Sequence, residues 1–194
     1  MRPIVGVLLA AGRGERFGGD KLMAHLPGGD RVGLAAARRL VQVLPGSVAV
    51  VRPQDRLLKQ ALRDLPIRLV ENPCADAGMG GSLALGVAAS ADAAGWLIAL
   101  GDMPWVELET LQALVQRLRA GASVVAPVHQ GRRGHPVGFA GCWGEQLVGL
   151  SGEAGARHLL SAEAGRLDLM STQDRGVLLD VDCVDDLASA PPPP

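Results

Sequence analysis

Cysteine is scarce in this chain, charge of either sign is in balance, and no apolar run is long; each shortage removes a class of protein. Cys74, Cys142 and Cys183 are the 3 cysteines, far apart and without C-x-x-C spacing. Neither a structural zinc site nor a disulfide framework is indicated, and they read as buried thiols. Lys and Arg number 19 against 20 Asp and Glu, a net charge of −1. That balance argues against general affinity for nucleic acid or membrane surfaces, although a local basic pocket can sit inside it. The apolar run Ile4–Ala11 is too short to span a membrane and closes on a Gly/Arg loop without a cleavage site, so a cytoplasmic protein is expected. Aromatic residues make up only 3%, and Trp96, Trp105 and Trp143 read as packing residues before stacking platforms.

What is present is an alternation of short apolar runs with helical patterns over 194 residues, 48% of them hydrophobic. That alternation is the sequence form of an α/β domain with a mostly parallel sheet covered by helices. The expected strands are Val5–Ala10, Val48–Arg52, Ile67–Glu71, Trp96–Leu100 and Ser123–Pro127. Pro136–Ala140 and Val177–Val181 follow in a smaller lobe after residue 131. Helices are expected over Val32–Leu44, Gln54–Leu65, Ser82–Ala89 and Leu108–Arg119, where apolar residues recur at three- and four-residue intervals. One domain over 1–190 is expected, with Pro191–Pro194 as an extended tail.

The most informative stretch is Leu8-Leu-Ala-Ala-Gly-Arg-Gly-Glu-Arg-Phe-Gly-Gly-Asp-Lys21. Its glycines allow positive φ and close backbone approach, and Arg13, Arg16 and Lys21 suit a polyanion such as a nucleoside triphosphate. Two familiar phosphate loops fail on counting. The third glycine of a G-x-G-x-x-G dinucleotide fingerprint falls on Phe17. A Walker loop is interrupted by Asp20, and Leu22 stands where Ser or Thr would hold magnesium.

Asp102 is the second feature. A carboxylate ending the apolar run Trp96–Leu100 is costly unless hydrated, hydrogen-bonded or bound to a metal. Mg²⁺ takes one or two carboxylates and completes its shell with water and substrate phosphates, so a second acid is expected nearby. If the first and fourth strands are neighbours, as in a 3-2-1-4 order, the glycine-rich loop and Asp102 meet where a wound sheet binds its ligands.

Leu9 to Lys21 matches L-A-x-G-x-x-x-R-x-G-x-x-K, and five further motifs follow in order: Glu71-Asn72-Pro73 with Gly78-Met79-Gly80-Gly81-Ser82-Leu83, Leu100-Gly101-Asp102-Met103-Pro104, Gly134-His135-Pro136-Val137, Gly152-Glu153-Ala154-Gly155-Ala156-Arg157, and Asp180 to Leu187. In these the chain resembles the MobA-like nucleotidyltransferases, and most nearly the molybdenum cofactor cytidylyltransferases. The resemblance implies a Rossmann-like three-layer α/β/α sandwich of the nucleotide-diphospho-sugar transferase type. It implies a nucleotide-binding part over about 1–130 and an acceptor-facing part over about 131–190. The implied reaction is CMP transfer from CTP to the phosphate of molybdenum-loaded molybdopterin, with a target molybdoenzyme or its chaperone as recipient.

The same resemblance assigns Leu9, Ala10, Ala11, Gly12, Arg13, Gly14, Lys21, Asn72, Gly78, Ser82 and Asp102 to nucleotide binding. It assigns Arg16, Lys21 and Asp102 to catalysis, and Asp102 with Asp182 to Mg²⁺, with Mn²⁺ as substitute. Asp180 is the weaker alternative to Asp182, and Asp185 and Asp186 read as acids at a helix N-terminus. Ala11 stands where guanylyl-transferring relatives usually have glycine, which favours CTP. Arg132, His135 and Arg157, with Arg133, would receive the acceptor phosphate. Ser82 reads equally as a helix N-cap. Open alternatives are GTP as donor, a sugar or alcohol phosphate as acceptor, and a binding or delivery protein without chemistry.

Overall fold

A computed structural model describes residues 2–153, 155–162 and 167–189; the proline tail lies outside them. Its strands are β1 (Ile4–Ala10), β2 (Ser47–Val51), β3 (Ile67–Glu71), β4 (Gly95–Leu100), β5 (Val124–His129), β6 (Arg132–Arg133), β7 (Val137–Ala140) and β8 (Leu167–Ser171). The helices are α1 (Val32–Val43), α2 (Arg56–Leu62), α3 (Met79–Ala88), α4 (Leu108–Arg119), α5 (Gly144–Val148) and α6 (Arg157–Ala162).

All strands join one sheet in the order β3-β2-β1-β4-β7-β5-β6, with β8 pairing with β5. The first four are parallel, in the anticipated 3-2-1-4 sequence. β7 and β6 run antiparallel to β5, while β8 is parallel to it. The fold is Rossmann-like, with helices on both faces.

Alternation along the strands builds the two faces. Ile4, Leu8 and Ala10 point into a core with α1, α2 and α4, where Leu40, Leu62 and Leu114 are fully buried. Val7 and Ala11 point the other way, onto Leu83 and Val87 of α3 and Leu147 of α5. β2 is buried along its whole length, as an interior strand covered on both faces must be. Trp96 and Trp105 lie in these cores, and Trp96 and Trp143 give their indole N–H groups to Ser90 and Ser123.

Close packing of α3 on the sheet rests on Gly86, whose added Cβ would lie 2.4 Å from Val7 Cγ1 and 3.1 Å from Val50 Cγ2. Gly86→Ala overpacks that contact and lowers unfolding stability by about 1–3 kcal/mol, to be read as an earlier denaturation midpoint at constant slope.

Two expectations are corrected, and one strand had none. Val177–Val181 is not a strand: a 3-10 turn covers Arg175–Leu178. Buried Asp174 holds that turn, accepting from Gly176 N at 2.7 Å and from Glu107 N at 2.9 Å, a local bonding pattern that competes with a ladder. Strand β8, which flanks β5, went unanticipated. The cysteines are not buried thiols: Cys74 and Cys142 are exposed and Cys183 is intermediate, because each sits on a connecting turn outside the strands and longer helices.

Candidate active site

β1 and β4 are neighbours in register, with Leu9 opposite Leu100, so both strands end at one crevice. Gly101 continues the pairing, donating its N–H to the Leu9 carbonyl at 2.9 Å, and an added Cβ there would crowd Ala10 at 3.2 Å. The chain therefore delivers Asp102 beside the loop that follows Ala10. In that loop Gly14 and Gly18 take left-handed backbone, at φ 60° and 75°, around a 3-10 turn over Glu15–Phe17. A second 3-10 turn, Lys21–Met23, buries Leu22 and Met23 and thereby anchors Lys21.

A third segment closes the site. Val181 donates its N–H to the Asp102 carbonyl at 2.9 Å, which sets the Asp180–Asp182 backbone alongside. The Lys21 ammonium donates to Asp102 Oδ2 at 2.8 Å and to Asp182 Oδ1 at 3.2 Å, and Arg16 reaches Asp182 Oδ2 at 3.0 Å. Burial of Lys21 disfavours its charge, yet the two carboxylates outweigh that and raise it above an ordinary lysine. Burial, then the charges of Asp182 and Asp102, push the Asp180 carboxyl upward. The Asp186 carboxylate accepts the N–H groups of Cys183 and Asp182, at 2.7 and 2.8 Å, and is held below the usual range by them. It fixes the chain that carries Asp182.

Asp102, Asp180 and Asp182 each offer a carboxylate oxygen, all within 4.8 Å of one another. Asp102 Oδ1 is buried without a hydrogen-bond partner among the described residues. An orphaned buried carboxylate oxygen within an all-oxygen donor set fits a hard divalent cation such as Mg²⁺ or Mn²⁺. Asp180, ranked below Asp182 on sequence, joins the cluster from an exposed position.

The crevice is a cavity of about 510 Å³. Leu9, Ala11, Gly12, Arg13, Gly14 and Arg16 line it, as do Lys21, Gly78, Ser82, Asp102 and Asp182. Ala10 points into the core below and Asn72 lies behind the wall, 3% exposed, donating to Ser82 Oγ at 2.9 Å. Ser82 is not the N-cap, because α3 starts at Met79. The helix start is pressed onto the 151–153 segment: Gly80 donates to the Gly152 carbonyl at 2.8 Å, and a Cβ on Gly78 would meet Gly152 backbone at 2.3 Å.

Arg132, His135 and Arg157 stand away from the cavity wall. Arg132 is exposed on β6 and Arg157 begins α6. His135 lines a separate small recess with Met103 and Pro136, and its Nδ1 is buried without a hydrogen-bond partner among the described residues. Burial pulls its pKa below the ordinary histidine value; Asp102 opposes this and Arg133 assists it. Folded His135 thus binds fewer protons than the unfolded chain does below about pH 6.5, so stability falls as pH drops through that range. Removing the group in His135→Gln should give a shallower loss of melting temperature between about pH 7 and pH 5 than in the wild type.

Arg52, Asp76, Met79 and Glu153 also line the cavity, unanticipated from sequence. Arg52 had a readable signal, a charge directly after the apolar run Val48–Val51 of β2, the same logic that found Asp102.

Known proteins resemble this chain in sequence and in fold. The chain is 33% identical over 193 residues to nicotine blue oxidoreductase of Paenarthrobacter nicotinovorans, covering 95% of this chain and 94% of that one. It is 31% identical over 189 residues to the purine catabolism protein PucB of Bacillus subtilis, covering 92% and 91%. A probable molybdenum cofactor guanylyltransferase of Rhodopirellula baltica is 30% identical over 136 residues, 66% of this chain and 62% of that one. Among solved structures, Rv0371c of Mycobacterium tuberculosis superposes with a TM-score of 0.81 at 25% identity, covering 96% and 97%, and its manganese complex with 0.78 at 24%, covering the same shares. The MobA-like NTP transferase domain model matches residues 6–167, and with loop, strand order and paired acids in place the chain belongs to the MobA-like NTP transferase family.

Proposed function

We propose that this protein transfers CMP from CTP to the phosphate of a molybdenum-loaded molybdopterin, releasing pyrophosphate. A phosphate oxygen of the acceptor attacks the α-phosphorus of CTP; the new P–O bond forms as the bond to the β-phosphate oxygen breaks, and the electron pair leaves with pyrophosphate. The observation that carries this reading is Lys21 bridging Asp102 and Asp182 at the mouth of the glycine-rich loop.

Positioning and charge neutralisation dominate such a reaction. Loop amides and Arg13 hold the triphosphate, while Lys21 and Arg16 turn toward charge building on the leaving pyrophosphate. Asp102 and Asp182, with Asp180, would hold Mg²⁺ or Mn²⁺, which supplies neutralisation of the phosphate oxygens. Rv0371c has been seen with manganese, which supports a divalent ion here. Ala11, buried on the wall, supports a pyrimidine donor. The acceptor phosphate would approach from the part after residue 131, toward Arg132, His135 and Arg157, and the guanylyltransferase relative supports a pterin acceptor. The reaction is expected in the cytoplasm; among the described residues no helix is long and apolar enough to cross a membrane. The oxidoreductase name belongs to the Paenarthrobacter protein; here Phe17 replaces the third glycine that a dinucleotide fingerprint requires.

The test is pyrophosphate release with each of the four NTPs, Mg²⁺ or Mn²⁺, and molybdenum-loaded pterin present or absent. The expected signal needs CTP and pterin together and disappears with EDTA. A preference for GTP overturns the reading of Ala11, activity with a sugar phosphate alone overturns the acceptor, and nicotinamide oxidation without pyrophosphate overturns nucleotidyl transfer.

A further inference from the structure

Arg52 is a charged residue only 9% exposed, at the first position after β2 and on the wall of the cavity. Burying a guanidinium is costly unless its donors are engaged. Its Nε donates to the carbonyl of Ala11 at 2.7 Å and its terminal nitrogen to Asp76 Oδ1 at 2.6 Å. The same Asp76 carboxylate accepts from Arg13 Nε at 2.6 Å and pairs with the second terminal nitrogen of that guanidinium. One planar fork therefore ties three separate segments: the end of β2, the start of the glycine-rich loop, and the turn over Ala75–Ala77 ahead of α3. Arg13 and Asp76 are about half exposed, so water screens the outer half of this chain of contacts. Its inner half, from Arg52 to Ala11, is shielded and does the holding.

We propose that Arg52 is a positioning residue for the nucleotide: it fixes the Ala11 carbonyl and, through Asp76, the Arg13 guanidinium, so that the loop is already shaped when the triphosphate arrives. Gly12 and Gly14 on either side of Arg13 leave the loop little conformational restraint of its own. Without the Arg52 fork, ordering that backbone becomes part of the cost of binding, which weakens affinity and spares the chemical step once the ligand is seated. Lysine cannot replace the fork, because a point charge on a flexible stem does not hold two diverging acceptors in fixed geometry.

The inference rests on nucleotidyl transfer only in taking the ligand to be a nucleoside triphosphate. The test uses the full chain in three measurements: CTP and GTP affinity by calorimetry, steady-state kinetics, and amide exchange of residues 11–14 without nucleotide. Arg52→Gln should weaken CTP binding and raise its KM by about tenfold, with kcat within about threefold, and should speed amide exchange over 11–14. Arg52→Lys should fall between the two, and adding Asp76→Asn to Arg52→Gln should cost less than the two changes taken separately, since both act on one chain of contacts. A folded Arg52→Gln protein with wild-type CTP affinity, or with unchanged exchange over 11–14, overturns the inference alone. Wild-type protein that binds neither CTP nor GTP removes the nucleotidyl-transfer reading and this inference together.

Discussion

Asp102→Ala lowers the rate of pyrophosphate release by at least about a hundredfold while leaving the fold in place, because in the proposed reaction it removes a preorganised electrostatic partner of the reacting phosphates. Asp102 offers one oxygen to Lys21 at 2.8 Å and keeps the other buried and unpartnered among the described residues. Its side chain thus both orients the cation and completes the acidic cluster with Asp180 and Asp182. Its backbone carbonyl, which accepts from Val181, is untouched by the substitution. The loss therefore belongs to chemistry and ion binding more than to stability, and thermal melting of the variant should move by only a few degrees. Wild-type-like pyrophosphate release from Asp102→Ala would refute its assignment to metal and catalysis.

Lys21→Met has two effects of opposite sign. Turnover falls by about a hundredfold or more, since the charge proposed to meet the leaving pyrophosphate is gone. Affinity for Mn²⁺ in the absence of nucleotide rises by about tenfold, roughly 1.4 kcal/mol. The ammonium lies 2.8 Å from Asp102 and 3.2 Å from Asp182, among the carboxylates proposed to hold the ion, so it competes with an incoming cation for their field. Manganese titration followed by paramagnetic resonance reads the second effect directly. Weaker manganese binding in Lys21→Met would mean that the ammonium supports the acidic cluster instead of competing at it.

Much of this site was legible in the chain because its signals are local. Glycines with interspersed cations after an apolar run mark a phosphate loop, and a carboxylate ending another apolar run, at Asp102, marks a group that needs a partner. The strand order 3-2-1-4 was expected from fold rules together with the family resemblance, and β3 and α4 fell on the bounds their flanking residues suggested. Less legible were features made by residues distant in sequence. Asp180 joins the acids because Val181 hydrogen-bonds to Asp102, a contact no spacing reveals. Arg52 reaches Ala11 across a separation of 41 residues, and Arg16 reaches Asp182 across 166. Val177–Val181 carries a strand-like apolar pattern, yet Asp174 wins that segment for a 3-10 turn through bonds to Gly176 and to Glu107. The exposure of Cys74 and Cys142 likewise depended on which turns the packing left outside.

By itself, the order of residues determined the alternation of strands and helices, the conformational freedom of the glycine-rich loop, and the placement of Asp102 and Arg52 at strand ends, because these depend on periodicity and on neighbours along the chain. Only the tertiary structure decided that Lys21 bridges two aspartates, that a third joins them, and that Arg52 ties loop to turn. Those contacts exist because parallel winding brings the carboxyl ends of β1, β2 and β4 to one rim, where charges remote in sequence must find each other or remain unpaired.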